Sequence, residues 1–187
     1  GRCGPRGPIR RSGALAGDDL WVTGVIGDGW LGLQAAKGAF AALGPGAHAA
    51  LVAKYRVPEL PPLGVADLIA DVATSSIDIS DGLVADATHV ADASGVGMVI
   101  RAGAVPLSDA GRGFLANPVA GLRALLTGGD DYQALFTAPP ERRDAIQFSG
   151  HVLTRIGQVE KGAGVHVLGP SGDPLALEKT GWAHFSG

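Results

Sequence analysis

The stretch Thr74–Gly82, reading TSSIDISDG, decides the architecture expected of this chain. Ile77 and Ile79 alternate with Asp78 and Ser80, the period-2 pattern of a strand with one dry and one polar face. Asp81-Gly82 breaks the strand. LVADATHVADA follows, with Leu83, Ala87, Val90 and Ala91 at helical spacing. Two carboxylates and a hydroxyl therefore gather where a strand ends and a helix begins, beside backbone N–H groups that no helical carbonyl takes up. Oxygen ligands of that kind suit Mg²⁺, and helix N-termini suit phosphate. A plainer reading stays open beside this one, with Asp81 as the helix N-cap and Asp78 as a solvated charge.

Working outward, strands and helices alternate along the rest of the chain. Asp19–Val25 reads as a first strand, and Gly27-Asp28 opens an apolar helix, WLGLQAAKGAFAAL, closed by Gly44-Pro45. GAHAALVAKYR is a second helix, stopped by Pro58 and Pro61-Pro62. GMVIR at Gly97–Arg101 is a buried strand, followed by the short helices SDAGRGFL and VAGLRALL. TGGDD is a turn, and YQALFTA a strand with Tyr132, Ala134 and Phe136 on one face, Tyr132 and Phe136 being read as core. PPERRDAI starts a helix with Pro in its first turn. HVLTRIGQV and GVHVLG are the last strands. This interleaving, with short turns near the end, predicts an α+β fold in which helices cover a mixed sheet. Gly1–Leu15, rich in Gly, Pro and Arg, reads as an extended linker (residues 1–15), leaving 16–187 as the folded domain.

Composition narrows the class. Of 187 residues, 46% are hydrophobic and 18% charged, which describes a globular chain with a substantial core. A net charge of −3 leaves no electrostatic footprint for nucleic acid. No apolar run approaches the roughly 20 residues of a membrane span. Cys3 is the sole cysteine, so an intrachain disulfide and a Cys-based zinc site are excluded. The basic opening GRCGPRGPIRR has no apolar stretch behind it and is not a signal peptide. A cytoplasmic protein is the simplest expectation.

Other residues invite chemistry to different degrees. Gly128-Gly129 lets the backbone turn with positive φ and approach a ligand closely, which makes Asp130 a candidate; Asp131 is equally at home as ordinary turn chemistry. Gly24–Gly29 looks like a phosphate loop but lacks the full dinucleotide or P-loop pattern, and reads as a tight strand-to-helix turn. The five histidines show no metal-ligand spacing, and His89 is expected at the surface. No Ser–His–Asp or Cys–His arrangement is recognisable.

Three runs then carry a resemblance. IDISDGLVADATHVADASGVG from Ile77, LTGGDDYQALFT from Leu126 and RSGALAGDDLWVTGVIGD from Arg11 resemble, in this order, the C-terminal half of thiamine-monophosphate kinases. That family belongs with the aminoimidazole-ribonucleotide synthetase-like ATP-binding enzymes, alongside selenophosphate synthetase and a hydrogenase maturation protein. The resemblance implies that superfamily's C-terminal fold and an ATP-dependent phosphorylation of thiamine monophosphate to thiamine diphosphate. It implies Asp78 and Asp81 as Mg²⁺ ligands, and Ser80 and Arg11 as contacts to ATP, with Arg10 a rival to Arg11. It implies Asp130 and Trp182 on the thiamine phosphate, Asp86 behind the acidic cluster, and a homodimer of the full-length enzyme. An aromatic face at Trp182 suits a thiazolium cation, although a terminal aromatic also plugs cores. No general base is required, since the acceptor phosphate is largely ionised near pH 7, its second pKa being about 6. The family carries a further acidic domain upstream. A chain that begins at Gly1, with Met98 its sole methionine, is thus expected to be the C-terminal piece, folded but inactive alone. Two rivals remain: a superfamily member acting on another acceptor, as selenophosphate synthetase does, and a non-catalytic domain binding nucleotide or a partner chain. GGDDY and GWAHF fit the thiamine enzyme better than the first.

Overall fold

The computed structural model describes residues 7–40, 45–115 and 118–177. Its sheet has the order β2-β4-β1-β5-β3-β6, built from β1 Asp19–Thr23, β2 Ser75–Ile79, β3 Gly97–Arg101, β4 Gln133–Ala138, β5 Leu153–Glu160 and β6 Gly164–Leu168. Neighbouring strands run antiparallel except β3 and β6, which are parallel. The helices are α1 Asp28–Ala36, α2 Pro45–Arg56, α3 Leu63–Val72, α4 Leu83–Ser94, α5 Asp109–Phe114, α6 Pro118–Thr127 and α7 Arg143–Gln147. A mixed sheet covered by helices is the α+β architecture that the alternation of periods predicts.

The period-2 pattern of each strand divides the apolar residues between two layers. Leu20 and Val22 of β1, Leu135 of β4 and Ile79 of β2 face α1, α4 and α6, whose Leu31, Leu83, Val90, Leu125 and Leu126 complete the larger core. Trp21, Phe136 and Ala138 face the other way, against Val65, Ile69 and Val72 of α3 and Ile146 of α7. Trp21 and Phe136 stack there, with ring centroids 6.4 Å apart and planes 13° from parallel. Each fully buried Leu, Ile or Phe stabilises the fold by about 1.5–3 kcal/mol. The larger layer, which also carries the loops of the candidate site, is therefore the better anchored.

Two expectations need correction. The first helix does not run to Gly44: it ends at Ala36, because Gly38 takes a left-handed φ of 93° and its amide returns to the Ala35 carbonyl. Tyr132 is neither strand nor core. It precedes β4 with φ 51° and is 39% exposed, so the inward face of that strand starts with Ala134. Cys3, Trp182 and His184 lie outside the described residues.

A buried charge ties the smaller layer together. Asp19 is 2% exposed and accepts hydrogen bonds from the guanidinium of Arg143 in α7 and of Arg155 in β5. Burial opposes its ionisation, but the bonds and charges of the two arginines outweigh that and hold the carboxyl below its ordinary value. A lowered carboxylate pKa contributes stability above the unfolded-state value and loses it as pH falls through the native one. Urea denaturation of wild type and Asp19→Asn at pH 7 and pH 3 should show wild type losing more stability on acidification than the variant. Parallel losses would remove Asp19 from the acid limb.

Candidate functional site

Three loops meet at one end of the sheet: 24–27 after β1, Ser80–Gly82 after β2 and Gly128–Tyr132 before β4. The second and third are joined through their backbones. The Asp130 amide donates to the Ser80 carbonyl at 2.9 Å, and the Tyr132 amide to that of Ile79 at 2.8 Å. Only glycine allows so close an approach. A β-carbon on Gly129 would stand 2.3 Å from the Ser80 oxygen, and one on Gly82 2.7 Å from the Thr127 oxygen. Gly82 also holds φ 119° as the residue that starts α4. Asp130 (φ 69°) and Tyr132 (φ 51°) are non-glycine residues in the left-handed region. Such strain costs about 1–3 kcal/mol per residue and clusters at functional sites. Here the bonds to Ser80 and Ile79 maintain it, and the Tyr132 hydroxyl donates to Asp130 Oδ1 at 3.2 Å.

The carboxylates divide by burial. Asp86, 2% exposed, turns back from α4 so that its Oδ2 accepts the amides of Ser80 (2.9 Å) and Asp81 (3.1 Å). Burial raises its pKa, the charge of Asp81 adds to that, and the two amides oppose it. Asp131, 5% exposed, accepts the amides of Gly27 (2.8 Å) and Gly29 (3.0 Å) at the start of α1. Its burial, with the charges of Asp28 and Asp130, overrides those two bonds and pushes the carboxyl up to about 7. Asp131 thus braces the start of α1 while also lining the cleft beside it. The Gly24–Gly29 turn has two amides committed to it, in keeping with a strand-to-helix turn rather than a phosphate cradle. Asp28, 6% exposed, bonds to Lys54 and to the Ser108 hydroxyl.

The residues singled out in the sequence are placed as follows. Asp78 is exposed on β2 opposite Ala134, and lines a shallow groove with Ile9 and Tyr132. Asp81 is half-buried, and the N-cap of α4 is Gly82 rather than Asp81. Asp81, Asp86 and His89 each bring a ligand atom within 4.8 Å of the others, and Asp78 lies outside that group. His89 is exposed, as expected, but its nearness to two carboxylates escaped the search for ligand spacing. The signal was present as Asp86 and His89 three apart on one helix. Ser80 is half-buried between Asp86 and Asp130, held by its backbone. Arg11 is exposed at the other end of β2: the Arg10 carbonyl accepts from Ser76, and Gly13 packs on Thr74. Asp130 and Asp131 line a cleft of about 280 Å³ with Lys54, Gln133 and a proline-rich wall, Pro58–Pro62.

Residues 16–169 match the family described as AIR synthase related protein, C-terminal domain. The chain belongs to that family. It is 36% identical to the thiamine-monophosphate kinase of Caulobacter vibrioides over 183 residues, covering 94% of this chain and 50% of the relative. Identity to the Aquifex aeolicus thiamine-monophosphate kinase is also 36%, over 95% of this chain and 55% of the relative. This AIR synthase related domain thus spans about half the length of the curated relatives it matches. Among solved structures it is similar to AaThiL complexed with AMPPCP and TMP (TM-score 0.77, 36% identity), covering 95% of this chain and 54% of that one. It is also similar to the thiamine-monophosphate kinase of Stenotrophomonas maltophilia K279a (TM-score 0.75, 34% identity), over 85% and 52% of the two chains. The likeness to Escherichia coli HypE, a hydrogenase maturation protein, is one of fold alone, at 22% identity and TM-score 0.67.

The raised Asp131 carboxyl gives this domain a measurable signature. Its native state keeps a proton that the unfolded chain has lost, so the associated stability is full below the ordinary value of 3.8 and disappears as pH rises through about 7. The Asp131 carboxyl carbon should titrate near 7 by NMR, and Asp131→Asn should flatten the stability profile between pH 4 and 7. A midpoint near 4 would contradict the account.

Proposed function

We propose that this chain is the C-terminal domain of an ATP- and Mg²⁺-dependent kinase that converts thiamine monophosphate to thiamine diphosphate. The observation that carries the proposal is the backbone lock between the SDG turn and the GGDD turn. It brings Asp78, Ser80 and Asp81 to the same end of the sheet as Asp130, 36% identity to thiamine-monophosphate kinases supporting the same reading. In this reading residues 1–15 link the domain to a further half, of which Arg10 lies along β2, and residues 16–187 form the domain. The complete protein acts as a cytoplasmic homodimer. No helix of the described residues is long and apolar enough to cross a membrane.

Phosphoryl transfer asks a protein mainly for positioning and charge neutralisation. Mg²⁺ takes oxygen ligands, keeps several waters and binds through one or two carboxylates together with phosphates. Asp78, exposed, and Asp81, half-buried, fit that demand. Asp86 has an oxygen committed to two amides, and an imidazole nitrogen such as that of His89 suits softer metals. Asp78 and Asp81 would thus hold the ion, which neutralises phosphate charge when bound. Ser80 completes the nucleotide side; Arg11, whose guanidinium fork would match phosphate oxygens, is assigned there by the family resemblance alone, since it stands at the other end of β2. Asp130 stands on the acceptor side, at the mouth of the 280 Å³ cleft, and Trp182 is assigned to the same substrate. A carboxylate beside an acidic cleft attracts a cationic thiazolium, and strained backbone holds Asp130 in place.

The two halves of this assignment separate experimentally. In the complete enzyme, Asp78→Asn should lower kcat by about 10²–10³ while leaving the fold intact. Asp130→Ala should raise the KM for thiamine monophosphate more than that for ATP. Asp78→Asn turnover within threefold of wild type would remove Asp78 from the metal site. A larger effect of Asp130→Ala on ATP would mean that the subsites are exchanged.

A further inference from the structure

The first residue of β4, Gln133, is 6% exposed, and its side-chain amide joins three segments around the cleft. Its Oε1 accepts from the Thr23 hydroxyl at 2.8 Å, and Thr23 Oγ1 in turn accepts the Ala134 amide at 2.8 Å. Its Nε2 donates to the Glu59 carbonyl at 2.8 Å and reaches the Asp131 carbonyl at 3.4 Å. Gly24, with φ 53°, leaves the space for this amide, because a β-carbon there would stand 2.3 Å from Oε1. Every polar atom of a buried amide is thus engaged, and losing one partner strands a desolvated group.

The segment held by this bond is unusual. Val57, Pro58, Glu59, Leu60, Pro61 and Pro62 connect α2 to α3, and three of the six lack an amide hydrogen. Among the described residues, the Gln133–Glu59 bond is the one that ties Pro58–Pro61 to the sheet. The same residues form one wall of the 280 Å³ cleft, facing Asp130 and Asp131, whereas Asp78 and Asp81 are not part of its lining. The wall is stiff in itself, and that hydrogen bond anchors it to β4. A shift of that wall alters the cleft at Asp130; Pro61 and Gln133 also line the shallow groove of Asp78, so the effect is expected to be larger on the cleft side rather than confined to it.

We propose that Gln133 is a positioning residue for the phosphate acceptor: by fixing the proline-rich wall against the GGDD turn it sets the width of the cleft that receives the acceptor's heterocyclic body. This rests on the assignment of the cleft to thiamine monophosphate. It predicts a larger effect on the acceptor than on ATP, since the Gln133 amide works through the Glu59 carbonyl.

The test uses the complete protein that carries this chain. Direct binding of thiamine monophosphate to wild type comes first; no binding there overturns the assignment of the cleft and this inference with it. Gln133→Glu keeps the side chain's size and replaces the donor by an acceptor facing two carbonyls. The expected result is a roughly tenfold rise in KM for thiamine monophosphate, with kcat and the KM for ATP within twofold of wild type. Pro61→Gly, a change in the half-buried wall itself that keeps Gln133 and loosens the wall, should give the same split and covers the case in which Gln133→Glu does not fold. Wild-type binding together with an unchanged acceptor KM in the folded variants overturns the inference alone. So does an equal loss for both substrates or a loss confined to kcat, because a merely structural role would produce that pattern.

Discussion

The Ser80 carbonyl receives the Asp130 amide across a gap that no β-carbon could enter, and the rest of the site depends on that contact. The SDG turn ends a strand and the GGDD turn begins its neighbour, so ordinary sheet pairing brings them close. Glycine at 82 and 129 then lets the two main chains touch. The touch has consequences for side chains: it holds Asp130 and Tyr132 at positive φ, a conformation with a cost that only dense surroundings sustain. The proposed kinase site, which would clamp two phosphates, calls for such rigidity, because a small displacement of a catalytic group has a large kinetic effect.

Charge is distributed with the same economy. Two buried aspartates give their oxygens to backbone amides, Asp86 at the SDG turn and Asp131 at the start of α1. They serve as fixed braces with raised pKa values, and burial is the main cause in both. Asp78, exposed on the strand, Asp81, half-buried at the turn, and Asp130, lining the cleft, are the aspartates proposed to meet a ligand. Amide dipoles, not arginines, offset part of the burial of Asp86 and Asp131. Lys54, in the lining of the cleft, is paired with Asp28.

Much of this was legible in the sequence, for physical reasons that differ from element to element. The junction of β2 and α4 shows because a period of two gives way to a helical period at Asp81-Gly82. The turn at Gly128-Gly129 shows because paired glycines have few other uses between a helix and a strand. Other features escaped. The partner of Asp131 lies 104 residues away at Gly27, so its role as a brace was beyond local reading. Tyr132 continued an alternating pattern, and a left-handed φ at a tyrosine leaves no mark in hydrophobic periodicity. Gln133 looked like one more strand position, although its amide ties two loops. The early end of α1 was different: Lys37-Gly38 is a recognisable stop signal that the longer apolar run outweighed.

The central claim is that one backbone contact organises both the metal side and the acceptor side. Gly129→Ala addresses it directly, since the added methyl would meet the Ser80 oxygen at 2.3 Å and must push the turns apart. In the complete protein, calorimetric titration with Mg²⁺–ATP analogue and with thiamine monophosphate measures both affinities on the same sample, with circular dichroism confirming the fold. The account predicts that the two affinities weaken together. A folded Gly129→Ala protein that keeps either affinity at the wild-type value would contradict it.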